Sequence, residues 1–186
     1  MSRTPTAYLR EVPLYRQGDG DALCAYYCVW MMRVAHGGLA AYCAWSDESI
    51  TKKWANSGMN VEATTRALVE KDKIATQTKD EATAAEVWRK VVAAVHEGRP
   101  SVLRLPEKSI MHPEGHYVVV RGACCDAGGV PDDADLLIVN DPATGERRLS
   151  YLEFRKAATG GGKAACAWLM NKPVGKPHLR LPPDDG

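Results

Sequence analysis

The run ALCAYYCVWMMRVA, residues 22–35, is apolar on almost every side of a helical wheel. A helix of that kind cannot lie on a surface, because it has no polar face to give to water, so the rest of the chain must cover it all round. The chain is large enough to do so. With 186 residues, 45% of them hydrophobic, it suits one globular domain, or a domain of two lobes around one cleft. Gly37-Gly38 is the expected end of the helix.

Ahead of the helix, residues 1–20 are polar and extended, with Pro13 and a Gly-Asp-Gly-Asp cluster at 18–21 that closes on the helix start. Residues 39–60 contain Trp45 and Trp54 and show little periodicity. Asn60 is positioned to cap a helix carrying Val61, Thr64, Leu68 and Val69 on one face. Thr83 and Glu86 form a capping box, Val87, Val91, Val92 and Val95 follow at helical spacing, and Gly98 closes that helix.

After Arg99-Pro100 the period changes. The segments SVLRL (101–105), HYVVVRGAC (116–124), LLIVN (136–140) and ERRLS (146–150) read as strands between turn-rich loops. Ser150 and Glu153 form another capping box before a short helix, and Gly160-Gly161-Gly162 breaks to a last strand around AACAWLM, 164–170. The class expected is therefore α+β, helical first and mostly sheet later. From Pro173 the tail is proline-rich and expected to be extended and disordered.

Charge and cysteine usage narrow the function. A net charge of +1 with 25% charged residues spread along the chain argues against nucleic-acid binding. No apolar stretch reaches the roughly 18 residues of a membrane span, and the N-terminus has no apolar signal core. Six cysteines, two of them adjacent at 124 and 125, suit a reduced compartment better than a disulfide framework. The expected location is the cytoplasm, or outside the cell by a route that needs no signal peptide.

Two residues then carry chemistry. Cys24 falls in the first turn of the buried helix, where unpaired N–H groups and the helix dipole stabilise a thiolate. His116 opens a valine-rich strand, so its ring stands at a sheet edge, and an imidazole beside Cys24 would complete a thiolate–imidazole pair. Asp141 ends the strand LLIVN and is fixed in a turn by Pro142 and Gly145. Antiparallel pairing of the two strands would bring Asp141 beside His116, where a carboxylate can fix the tautomer. Gln17, upstream of Cys24, offers a side-chain amide to a developing oxyanion, together with the backbone N–H of Cys24.

The stretches VPLYRQGDGDALCAYYCVWMM, GMNVEATTRAL, GRPSVLRL, GHYVVVRG and VNDPATGERRLSYLEF resemble those of papain-like cysteine peptidases of the C39-like group. That group holds the double-glycine leader peptidases and their stand-alone relatives. A similar opening occurs in papain-like bacterial effector proteases. The resemblance covers residues 12 to 170, and the interval from Gln17 to Cys24 is a residue longer than usual. It implies a helical lobe over about 12–98 facing an antiparallel sheet lobe over about 99–172 in a single domain, with the active-site cleft between them and the tail 173–186 outside. It also implies Cys24 as nucleophile, His116 of Gly-His-Tyr as general base, Asp141 of Asn-Asp-Pro as orienting acid and Gln17 in the oxyanion hole. The activity implied is cleavage of a peptide or amide bond, with no cofactor and a peptide or protein as substrate. Without a membrane or ATP-binding segment the chain is not a whole leader-peptide transporter; the partners it implies are proteins of a secretion, maturation or defence system.

Three rival readings use the same residues. Cys24-x3-Cys28 and His112-x3-His116 have spacings seen in zinc sites, and Cys124-Cys125 could add thiolates to a structural zinc. A C39-like domain without activity would serve as a peptide-binding module. An amidase, deamidase or acyl transferase would share the thiolate chemistry up to the acyl enzyme. His36, His96, Trp30 and Trp88 read as helix ends, surface or core, and Asp132, Asp133 and Asp135 as a solvated hairpin tip. The loops 39–60, 106–115 and 125–135 are the expected specificity elements.

Overall fold

The computed structural model describes residues 5–18, 23–44, 60–78, 83–105, 115–159 and 166–178. The Gly-Asp-Gly-Asp cluster beyond Gly18, Trp45, Trp54, His112, the triple glycine and the last residues of the tail lie outside the described residues. The elements in chain order are β1 (Ala7–Tyr8), α1 (Cys24–Ala44), α2 (Val61–Thr65) running into a π-helical turn (Arg66–Lys71), β2 (Ala75–Gln77), α3 (Ala84–His96), β3 (Ser101–Leu105), β4 (His116–Ala123), β5 (Leu136–Asp141), β6 (Gly145–Ser150), α4 (Tyr151–Thr159) and β7 (Cys166–Met170). No helix among the described residues is long and apolar enough to cross a membrane.

The caps read from the sequence hold these helices. Asn60 Oδ1 accepts the Ala63 N–H at 2.9 Å. Thr83 Oγ1 accepts the Glu86 N–H at 3.3 Å while Glu86 Oε2 accepts the Thr83 N–H at 2.8 Å, and Ser150 and Glu153 repeat the exchange at 3.2 and 2.8 Å. Each satisfies N–H groups that a helix start leaves open. At Gly38 the backbone leaves the helical region with φ +62, so the expected helix end is a kink after which α1 resumes.

The sheet is antiparallel throughout, in the order β2-β7-β3-β4-β5-β6, with β1 paired to β4. Its central strands are buried on both faces, which explains why HYVVV reads as a continuous apolar run rather than an alternation. One core holds α1 with Val102, Tyr117, Val119 and Trp168. The other holds α3 and α4 with Leu103, Leu105, Val118 and Val120.

The class is α+β, as expected, with helices packed on both faces of the antiparallel sheet. The helix α3 lies on the opposite face of the sheet from α1, because its valine stripe packs on Leu103 and Val118 rather than on α1. The first half also contributes two short strands, β1 and β2, to the sheet edges. The tail is docked over its described part: the Val174 N–H donates to Gly98 O at 2.9 Å and the His178 N–H to Tyr8 O at 2.8 Å.

Candidate active site

Three chain ends meet at one edge of the sheet: the first residue of α1, the first of β4 and the last of β5. Hairpin pairing sets Val119 opposite Asn140, so the start of β4 and the end of β5 lie side by side. His116 Nε2 and Asp141 Oδ1 are 2.8 Å apart, and each side chain is 1% exposed. The Cys24 thiol stands close enough to the imidazole to help raise its pKa. With Nε2 given to the carboxylate, Nδ1 is the nitrogen that serves the sulfur. The structure therefore brings together Cys24, His116 and Asp141 from three distant segments.

Exposure separates the cysteines. Cys28, Cys124, Cys125 and Cys166 are buried, while Cys24 is half-buried. Cys28 lies one turn further along α1, fully enclosed, and burial, aided by Cys24 and Asp141, pushes its thiol well up. It packs in the α1 core. Cys124 and Cys125 join two other clusters. Among the described residues no group of three or more His, Cys, Asp or Glu could hold a metal ion.

The charge state of the pair follows from its contacts. Burial alone would lower the His116 pKa, yet the hydrogen bond to Asp141 and the neighbouring Asp141 and Cys24 raise it to about 9. Asp141 is likewise opposed by burial and held below the ordinary carboxylate range by His116, by the Ala143 N–H at 2.8 Å and by Thr144. Arg147 Nε stands 3.7 Å from Asp141 Oδ2. The imidazole is thus a cation at neutral pH, stabilised from both sides.

Gln17 is reached through its backbone. Its N–H donates to Pro142 O at 2.8 Å, directly after Asp141. Tyr117, next to His116, stacks on Trp168 with ring centroids 5.9 Å apart, which seats the start of β4 against the α1 core. Sequence reasoning passed over Asn140 and Arg121. Asn140 is fully buried and donates to Pro13 O at 2.8 Å. A polar residue closing an apolar strand beside Asp141 was the available signal.

His96 sits at the end of α3, with Nε2 2.9 Å from Cys125 O and 3.3 Å from Thr6 Oγ1. Trp88 is core, edge-on to Tyr151. Asp132 and Asp133 are exposed in the β4–β5 loop, where Arg155 bonds Asp133 at 2.9 Å.

Comparison with known proteins adds the family. A search of curated proteins finds no match. Among solved structures, the crystal structure of the Pseudomonas avirulence protein AvrPphB aligns at 13% identity over 86% of this chain and 96% of that one, with a TM-score of 0.35. The profile of the Peptidase C39 like family matches residues 9–162, a span that includes Gln17, Cys24, His116 and Asp141, and the chain belongs to that family.

Proposed function

We propose that this protein is a thiol hydrolase that cleaves a peptide or amide bond through Cys24, His116 and Asp141. The observation that carries the reading is one buried imidazole bonded to Asp141 at 2.8 Å and set beside the half-buried thiol that starts α1. A structural histidine needs no such thiol, whereas a nucleophile needs a base oriented by a third group.

The Cys24 thiolate attacks the carbonyl carbon, the C–S bond forms, and the carbonyl pair moves to oxygen. The Gln17 side chain and the Cys24 N–H receive that oxyanion. As the pair returns, the C–N bond breaks and His116 gives its proton to the departing amine. The neutral imidazole then takes a proton from water, which attacks the thioester and releases the acid and the thiolate. Asp141 keeps the ring oriented throughout. The substrate is a peptide or protein.

The test is alkylation of the reduced protein with iodoacetamide at graded pH, with modified cysteines located by peptide mass spectrometry. Rapid labelling of Cys24 well below pH 8, lost in His116→Ala, is expected. Labelling of Cys24 no faster than an ordinary thiol would refute the reading.

A further inference from the structure

The segment that leads to Gln17 and Cys24 has almost no secondary structure of its own. Ala7 and Tyr8 pair with the sheet, opposite Ala123 and Gly122, with the Thr6 and Leu9 N–H groups bonded to Ala123 O and Arg121 O. Beyond them the chain turns over Arg10 to Val12 and carries no helix or strand as far as Gly18. Its backbone carbonyls need partners all the same, and side chains from β4 and β5 supply them. Arg121 Nε donates to Leu9 O at 3.1 Å and Nη2 to Arg10 O at 3.4 Å. Asn140 Nδ2 donates to Pro13 O at 2.8 Å and to Val12 O at 3.5 Å.

Arg121 owes its reach to a β-bulge. The register of β4 against β5 shifts between Val120 and Gly122, so Arg121 is the extra residue. A bulge re-aims the side chain it carries. The Arg121 guanidinium lies 4.5 Å over the Tyr8 ring, and its Nη1 donates to Asn140 Oδ1 at 3.4 Å. Tyr8 in turn donates to Glu146 at 2.8 Å. The Asn140 amide is thereby held from both ends and has no exposure with which to change rotamer.

Three consecutive residues therefore carry three separate holds. Asn140 grips Pro13, Asp141 grips His116, and the Pro142 carbonyl takes the Gln17 N–H at 2.8 Å. The stretch from Pro13 to Gln17 is pinned at both ends to the residues flanking Asp141. Pro142 adds a fixed φ at the turn. We propose that Asn140 is a positioning residue, whose side-chain amide keeps the Gln17 segment in register with the His116–Asp141 pair, so that one tripeptide sets oxyanion donor and base together. This rests on the thiol-hydrolase reading. A displacement of about 1 Å at such a donor is enough to cost orders of magnitude in rate.

The experiment uses two probes of Cys24 in the reduced full-length protein. Iodoacetamide reacts at a saturated carbon, forming C–S and releasing iodide, with no oxyanion. p-Nitrophenyl acetate reacts at a carbonyl, passes through an oxyanion, and releases p-nitrophenolate. The readout is the ratio of acylation to alkylation rates, which a general loss of stability or of thiolate does not move. Asn140→Ala should lower the ratio about tenfold or more while alkylation stays within about twofold. Gln17→Ala should lower it similarly, and the double variant no further, because Asn140 acts through Gln17. Should Asn140→Ala fail to fold, Arg121→Gln loosens the same segment from β4 and should give the same fall. An unchanged ratio in the folded variant, with Gln17→Ala lowered, overturns the role of Asn140 alone. A ratio insensitive to Gln17→Ala removes the oxyanion role and the proposal with it. Slow alkylation of wild-type Cys24 overturns the thiol-hydrolase reading itself.

Discussion

The His116 imidazole and the Asp141 carboxylate face each other at 2.8 Å with 1% exposure apiece, at the start of one strand and the end of its hairpin partner. A buried ion pair is costly unless its remaining valences are used. Here Asp141 Oδ1 also takes the Ala143 N–H, and the Arg147 guanidinium stands 3.7 Å from Oδ2. The pair holds a cation beside the first residue of α1.

Hydrolysis should depend on the protonated ring, since the proposed mechanism draws its leaving-group proton from His116. With the His116 pKa at about 9, turnover of an ester or peptide should hold through neutral pH and fall as pH rises past about 9. Asp141→Asn keeps the shape and removes the charge that raises the ring, so the alkaline limb should move to lower pH. A pH–rate profile of both proteins checks this, and an unmoved limb in Asp141→Asn would count against the pair.

The same pair has a stability consequence. His116 titrates in the folded protein at about 9 against an ordinary 6.5, so the folded state binds its proton more tightly. That contribution is complete below about pH 6.5 and disappears as pH rises through about 9. It amounts to on the order of 3 kcal/mol at about 1.4 kcal/mol per tenfold change in proton affinity. Urea unfolding of wild type and His116→Gln at pH 6 and pH 10 should show the wild-type advantage shrinking by that order. Asp141 acts oppositely: its stabilisation is present above the ordinary carboxylate range and is lost in acid.

Cys24 and Cys28 should part company when each becomes alanine. Cys24 is half-buried at the helix start and Cys28 fully enclosed in the α1 core. Cys24→Ala is expected to abolish turnover with a change of less than about 0.5 kcal/mol. Cys28→Ala is expected to leave the chemistry running and cost about 1 kcal/mol or more from the void. Activity and chemical denaturation of the two variants measure both.

The parts of this arrangement that were legible in the sequence are those with a local cause. Capping boxes at Thr83 and Ser150 and the apolar run of β4 announce themselves within a few residues. His116 and Asp141 could be paired because strands of similar length joined by one loop tend to form a hairpin. By contrast, β1 and β2 are two and three residues long and exist only through their partners, Gly122 to Ala123 and Trp168 to Met170. The valine stripe of α3 says that it packs on something apolar, and not on which face of the sheet. The Asn140 amide meets Pro13 across most of the chain, a contact with no local signature.

Gly98 supplies the sharpest test of the docked tail. Its φ is +80, a conformation that favours glycine, and a Cβ there would fall 2.2 Å from Gly175 O, a backbone atom that cannot turn aside. Two costs are therefore superposed, and two substitutions separate them. Asn tolerates positive φ better than Ala does, yet both would carry the same Cβ into Gly175. If contact dominates, Gly98→Ala and Gly98→Asn should destabilise alike, by about 2 kcal/mol or more. In both, the hydrogen bonds from Val174 to Gly98 and from His178 to Tyr8 should open, which amide hydrogen exchange at Val174 and His178 would register. Recovery of stability in Gly98→Asn would instead assign the cost to backbone conformation, and would mean that residues 173–178 can shift to admit a side chain.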